Sequence, residues 1–142
     1  MKQETIALVQ ESWQEVSPIS ATAAALFYKN LFLADPSLRP LFSGDMVTQG
    51  LRLMQMIGAA VNKLDDLPAL VPILESLGKR HAGYGVEDRH YETVGAALLA
   101  TLRQGLGEEF TPAVNAAWAE VYDVIANTMK SAANQQQAVE AL

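Results

Sequence analysis

The fold of this chain turns on residues 74–95, LESLGKRHAGYGVEDRHYETVG. Both histidines of the chain, His81 and His90, lie in this stretch, and there is no cysteine anywhere. Leu77, Leu74 and Leu70 precede His81 by four, seven and eleven residues. That spacing puts all four side chains on one face of a helix, the apolar one. GYG should stop this helix, and Asp88 is expected to cap the next. His90 sits off the face shared by Tyr91 and Val94, so it is expected to be partly exposed.

Outward from this stretch the pattern is helical almost throughout. Ile6, Val9, Trp13 and Val16 define an amphipathic first helix, which should stop at Ser17–Pro18 because the residue before proline is pushed out of the helical region. A second helix is expected from about Ile19 to Ala34, with Ala24, Phe27, Tyr28, Leu31 and Phe32 on its apolar face. PSLRPLFSGD reads as a short helical turn and a loop. A third helix should run from about Val47 to Leu64, with Leu53, Met54, Ile57, Ala60, Val61 and Leu64 along one side. DDLPALVP is expected to be a connection, with Pro72 in the first turn of a fourth helix reaching Ala82. The fifth helix should cover residues 89–104. The last should start at Thr111–Pro112, with Val114, Trp118, Val121, Tyr122, Ile125 and Met129 inward. The expectation is one all-α domain over residues 1–131, with six main helices and short helical turns, and a frayed tail over 132–142.

Composition limits the functions open to such a bundle. At 142 residues the chain is long enough for one sizeable core, and half of it is hydrophobic. Ten basic and sixteen acidic residues give a formal net charge of −6. No Lys/Arg cluster stands out, so neither nucleic acid nor an anionic membrane surface is an expected partner. No apolar run approaches the ~20 residues of a membrane span, and the N-terminus has no signal-peptide pattern. The lack of cysteine excludes disulfides, thiolate metal sites and cysteine nucleophiles, and is compatible with a cytoplasmic location. The paired carboxylates of DD and EE sit beside helix breaks and read as solvated caps.

Two readings of His81 remain open at this point. It is either a core histidine satisfied by backbone, the commoner case, or a single metal ligand in an apolar pocket. Zinc would need three or four protein ligands at compatible spacing, and two histidines on either side of a helix break do not provide them. A metal held by one protein ligand takes its others from elsewhere, and haem supplies four.

Several segments then carry a resemblance: LFYKNLF, PSLRPLF, NKLDDLPALVPILESLGKRHAGYGV, HYETVGAALL and FTPAVNAAWAEVYDVIA. In this order they are similar to the globins, on the branch that includes bacterial haemoglobins, the haem domain of flavohaemoglobins, and neuroglobin. The resemblance implies a globin fold around a haem pocket holding haem b, with His81 as the proximal ligand. It implies Phe42 stacked on the porphyrin, Gln49 facing bound ligand, Leu53 over the iron, and Tyr28 as the distal tyrosine. Val86, Tyr91, Val94, Trp118 and Tyr122 match positions beside or below the haem. A helix carbonyl at Leu77 can take the second N–H of His81 and fix the ring. Arg52, three residues beyond Gln49, is placed to reach a haem propionate, or else is a solvated surface arginine.

The departures from the family pattern are informative. Flavohaemoglobins pair the proximal histidine and the following tyrosine with a glutamate late in the last helix, where this chain has Ala133. Without that carboxylate the imidazole should donate less to the metal, which argues against peroxidase-like chemistry. Neuroglobin has a histidine where Gln49 stands, so His–Fe–His capping is not expected. The implied activity is reversible dioxygen binding, with carbon monoxide and nitric oxide as other gas ligands. The alternatives are nitric oxide dioxygenation supported by an external reductase, and gas sensing. A monomer or a homodimer is expected.

Overall fold

The computed structural model describes residues 1–42 and 44–141, with side chains through Gln135. Six α-helices appear in this order: α1 Gln3–Val16, α2 Ser20–Ala34, α3 Met46–Asn62, α4 Leu67–Gly83, α5 Asp88–Leu106 and α6 Pro112–Ala141. Short 3-10 turns lie at Ser17–Ile19, Pro36–Leu41 and Gly107–Glu109. No strand occurs among the described residues.

The helix starts follow from local chemistry. Asp45 caps α3, its carboxylate accepting from the N–H groups of Val47 and Thr48. Thr111 caps α6, its hydroxyl accepting the Val114 N–H at 3.2 Å. The breaks use glycine where the backbone turns left-handed, at Gly85 (φ +90°) and Gly107 (φ +59°).

Packing sets the layout. α1 lies on α6, α4 on α6, and α2 on α5 and α3. Trp13 of α1 meets Trp118 of α6 with ring centroids 6.0 Å apart. The Trp118 indole N–H donates to the buried Ser12 hydroxyl at 2.8 Å. Asn30 of α2 donates to Thr101 of α5 at 3.1 Å. Thus the apolar stripes read from the sequence close a core through Val9, Leu31, Leu64, Leu70, Leu102 and Val121, each no more than 2% exposed.

Several local expectations are corrected. α4 starts at Leu67, and Pro72 stands inside it. The carbonyl of Asp66 closes its first turn by accepting from Ala69 and Leu70. Burial of Leu70, Leu74 and Gly78 against α6 outweighs the single hydrogen bond that Pro72 removes. α1 ends at Val16, before Ser17–Pro18 as expected, but Ser17 itself keeps helical torsions, and a 3-10 turn carries the chain directly into α2. Glu87, not Asp88, caps α5. His90 is buried, 6% exposed, not partly exposed. The reason is that its ring folds back to join the cap, Nδ1 accepting the Glu87 N–H at 2.9 Å. Of the tail expected from residue 132 on, Ala132 and Ala133 are buried in α6, and the side chains from 136 on lie outside the described residues.

Candidate functional site: the surroundings of His81

α3 packs on α2 and α1, whereas α4 packs on α6. α3 is therefore set apart from α4 and α5, and the side chains around that separation are neither core nor surface. Gln49, Leu53 and Ile57, at four-residue steps on α3, are half-buried. So are Leu77 and His81 on α4, Val86 in the following corner and Val94 on α5. Leu53, Ile57, Leu77, Val86 and Val94 pack on the core and leave part of their apolar surface uncovered.

His81 is fixed in one orientation. Its Nδ1 lies 2.8 Å from the carbonyl oxygen of Leu77, one turn earlier. A carbonyl can only accept, so Nδ1 carries the proton and Nε2 carries the lone pair. Burial holds the imidazole below its ordinary pKa, with the neighbouring Arg80 adding to the effect and the Leu77 bond opposing it. The ring is thus neutral near pH 7, with one nitrogen anchored and the other available as a ligand. No cluster of three or more His, Cys, Asp or Glu side chains suited to a metal occurs among the described residues. A metal at His81 must bring its other ligands with it.

Aromatic packing builds the α2 side. Phe42 lies edge-on to Tyr28 and to Phe32, with centroids 5.5 Å away in each case. Arg39 stacks over Phe32 at 5.4 Å and donates to the Phe42 carbonyl at 3.2 Å. These contacts fix the corner that carries Phe42. Tyr28 is 8% exposed, and burial raises its phenol pKa, so it stays a neutral donor. A Cβ added at Gly85, just after α4, would stand 3.7 Å from a Leu41 methyl.

Tyr91 and Tyr122 form the α5–α6 end. Tyr122 donates to the Tyr91 carbonyl at 2.5 Å. Burial raises the phenol pKa of both, and the buried Tyr91 hydroxyl has no hydrogen-bond partner among the described residues. Trp118 is not brought into this group. It is turned toward α1, on Ser12 and Trp13. Arg52 is exposed on α3.

The residues not singled out from sequence are small or capping ones. A Cβ on Gly50 would stand 2.9 Å from Ala24 Cβ and 3.6 Å from the Tyr28 ring. Gly50 therefore lets α3 approach α2 at the level of Tyr28. The four-residue step from Leu53 was the available signal for Ile57. A separate groove of about 430 Å³ is lined by Tyr28, Phe32, Arg39, Met46, Val47 and Leu51. His81 does not line it, and it offers no metal ligand of its own.

Comparison with known proteins bears on the fold and the family. A family profile described as Globin matches residues 25–129. The chain is 30% identical to neuroglobin of Danio rerio over 136 residues, covering 86% of each chain. It is 29% identical to neuroglobin of Dissostichus mawsoni at the same coverage. Among solved structures, it superposes with a TM-score of 0.89 on an engineered carbene transferase built from a Rhodothermus marinus protein assigned as a nitric oxide dioxygenase. That match has 27% identity and covers 100% of this chain and 99% of the other. With six helices in this arrangement and the family match over most of its length, the chain belongs to the globin family.

Proposed function

We propose that this globin holds one haem b in the cleft between α3 and α4, with His81 as the protein ligand, and binds dioxygen reversibly. The observation that carries the reading is the state of His81: anchored through Nδ1, neutral, half-buried, and bordered by half-buried apolar side chains. The residues fit a flat apolar macrocycle. Leu53 and Ile57 would lie on one side of it, Leu77 and Val86 on the other, with Phe42 packed at its edge. Arg52, exposed at the rim, would reach a propionate.

Bound haem supplies a ferrous iron that takes diatomic gases. The protein supplies the rest. Tyr28 is a stiff, neutral phenol donor set among aromatic rings, and the side-chain amide of Gln49 would be a second donor. Donors aimed into a dry cleft favour a polarised ligand such as dioxygen over carbon monoxide. On the other side, His81 donates to a neutral carbonyl and not to a carboxylate. Ala133 stands where the resemblance would place a glutamate, and the Tyr91 hydroxyl has no acceptor. An imidazole so supported is a moderate donor, which suits reversible binding over oxygen activation.

A second reading, nitric oxide dioxygenation with electrons from an external reductase, is supported by the likeness to the Rhodothermus marinus protein. No helix among the described residues is long and apolar enough to cross a membrane, which accords with a cytoplasmic place for either activity. Absorption spectra of the ferric, ferrous and oxygenated protein, with haem-to-chain stoichiometry, test the main reading. Sustained nitric oxide consumption in the presence of a reductase and NADH would move the assignment to the second.

A further inference from the structure

One residue holds the backbone of Phe42 at both ends. The Phe42 N–H donates to the Arg39 carbonyl at 3.1 Å, and the Phe42 carbonyl accepts from Arg39 Nη1 at 3.2 Å. Phe42 follows the 3-10 turn Pro36–Leu41 with extended torsions, φ −109° and ψ 106°. Those torsions take its carbonyl out of the helical hydrogen-bond pattern. The Arg39 side chain therefore fixes how the chain leaves Phe42.

The same guanidinium makes two further contacts. Its carbon stands 5.4 Å from the centre of the Phe32 ring on α2. Its Nη1 lies 3.8 Å from the sulfur of Met46, the first residue of α3. A planar, delocalised guanidinium can lie over a ring face while its N–H groups donate outward, which the compact ammonium of lysine does less well. One exposed side chain thus joins α2, the corner and the start of α3.

Phe32 and Phe42 are two members of a triangle of rings whose third is Tyr28. Phe32 stacks on Tyr28, with centroids 6.0 Å apart and planes at 16°. Phe42 meets Tyr28 edge-on at 5.5 Å and 72°, and meets Phe32 at 5.5 Å and 74°. Arg39 thus holds two of the rings that stand against Tyr28. A phenol hydroxyl extends along the axis of its ring, so a turned ring moves its donor. A polarised ligand such as dioxygen gains from an aimed donor, and carbon monoxide gains far less. We propose that Arg39 is a positioning residue for Phe42 and Tyr28, and that through Tyr28 it sets how strongly the site prefers dioxygen over carbon monoxide. This rests on the reading of Tyr28 as the donor to bound gas and of Phe42 as packing against the haem.

The test measures oxygen and carbon monoxide off-rates of the ferrous haem protein by stopped flow, in the parent, Arg39→Ala, Arg39→Lys, Tyr28→Phe and the double variant Arg39→Ala/Tyr28→Phe. Nuclear Overhauser contacts between the Tyr28 and Phe42 rings are followed in the carbon monoxide complex. Arg39→Ala should raise the oxygen off-rate about two- to fivefold, the size of an exposed cation–π contact, and leave the carbon monoxide rate unchanged. The Tyr28–Phe42 ring contacts should weaken with it. Arg39→Lys, which keeps the charge but not the planar fork, should fall between the parent and Arg39→Ala. In the Tyr28→Phe background Arg39→Ala should lose most of its effect, because the hydroxyl it acts through is gone. A purely structural role would shift both gases by the same factor and act equally in both backgrounds. An unchanged oxygen off-rate in Arg39→Ala, equal factors for the two gases, an undiminished effect in the Tyr28→Phe background, or unaltered ring contacts would overturn the proposal. Failure of the underlying reading would show separately, as a Tyr28→Phe variant that keeps the parent's oxygen off-rate. The ring contacts in Arg39→Ala would then decide the positioning of Phe42 and Tyr28 by themselves.

Discussion

The hydroxyl of Tyr122 donates to the backbone carbonyl of Tyr91, while the hydroxyl of Tyr91 itself is buried without a partner. One phenol is satisfied and the other is not, within the same pair. Removing an unsatisfied buried hydroxyl removes its desolvation cost, whereas removing a bonded one forfeits the bond. Tyr91→Phe should therefore be neutral or stabilising by up to about 1 kcal/mol, and Tyr122→Phe should cost about 1 kcal/mol. Urea unfolding at fixed haem saturation checks both. A clear loss of stability in Tyr91→Phe would mean that the hydroxyl has an acceptor in the loaded protein.

Gly78 is where α4 rests on α6. A Cβ there would meet the backbone of Met129, 2.2 Å from its carbonyl oxygen and 2.8 Å from its carbonyl carbon. Backbone cannot rotate away as a side chain can. Gly78→Ala should cost about 3 kcal/mol through overpacking, against the small gain that alanine brings to an exposed helix. Because α4 carries His81 one turn later, haem loss should accelerate with it. Unfolding and haem transfer to an acceptor apoglobin measure the two effects, and an unchanged midpoint would show that α4 does not seat on α6 this closely.

Most of the fold was legible in the sequence because apolar periodicity reports burial. Val9, Trp13 and Val16, or Val114, Trp118 and Val121, are spaced for one face, and each is buried. What the pattern could not do was divide a stripe. On α3, Met54, Val61 and Leu64 are core, whereas Leu53 and Ile57 are only half-buried at the cleft. Both sets are equally apolar, so only the packing of α3 on α1 and α2 separates them. Pro72 misled through its local rule, since a proline inside a helix is a cost that the α4–α6 contact outweighs. His90 misled because capping by a histidine ring has no sequence signature of its own. At the site, the placement of His81 followed from three leucines. Trp118, matched only through the resemblance, packs on α1 instead.

Tyr28 and Gln49 should hold bound oxygen unequally. Tyr28 is set between Phe27, Phe32 and Phe42, so its ring has little freedom to lose. Glutamine must be ordered before it can donate, and that ordering offsets part of its bond. A hydrogen bond to a charged or strongly polarised group is worth ~1.5–3 kcal/mol, or roughly ten- to a hundred-fold in dissociation rate. Tyr28→Phe should raise the oxygen off-rate toward that range, and Gln49→Leu should raise it less. Carbon monoxide should respond weakly to either. Stopped-flow rates within a factor of about two of the parent for both variants would mean that neither side chain touches the ligand.

The depressed pKa of His81 sets the sign of a pH effect. Burial lowers it from 6.5, so as pH falls the unfolded chain takes the proton first. Stability is then full above about 6.5 and is lost from there downward, until the folded ring also titrates. Ligation through Nε2 acts in the same direction, since the metal competes with the proton. Between about pH 7.5 and 5.5 the parent should lose stability faster than His81→Gln, which has no imidazole at that position. Parallel slopes for the two proteins would show that His81 does not titrate on unfolding.

The central claim is that His81, and no other side chain, ligates the haem iron. Its most direct test is the ferrous absorption spectrum, with haem stoichiometry, of the parent, His81→Ala and His90→Ala. The parent and His90→Ala should each bind one haem per chain with the spectrum of a histidine-ligated ferrous globin. His81→Ala should lose that spectrum, and added imidazole should restore it. A histidine-ligated spectrum retained in His81→Ala, or lost in His90→Ala, would contradict the account.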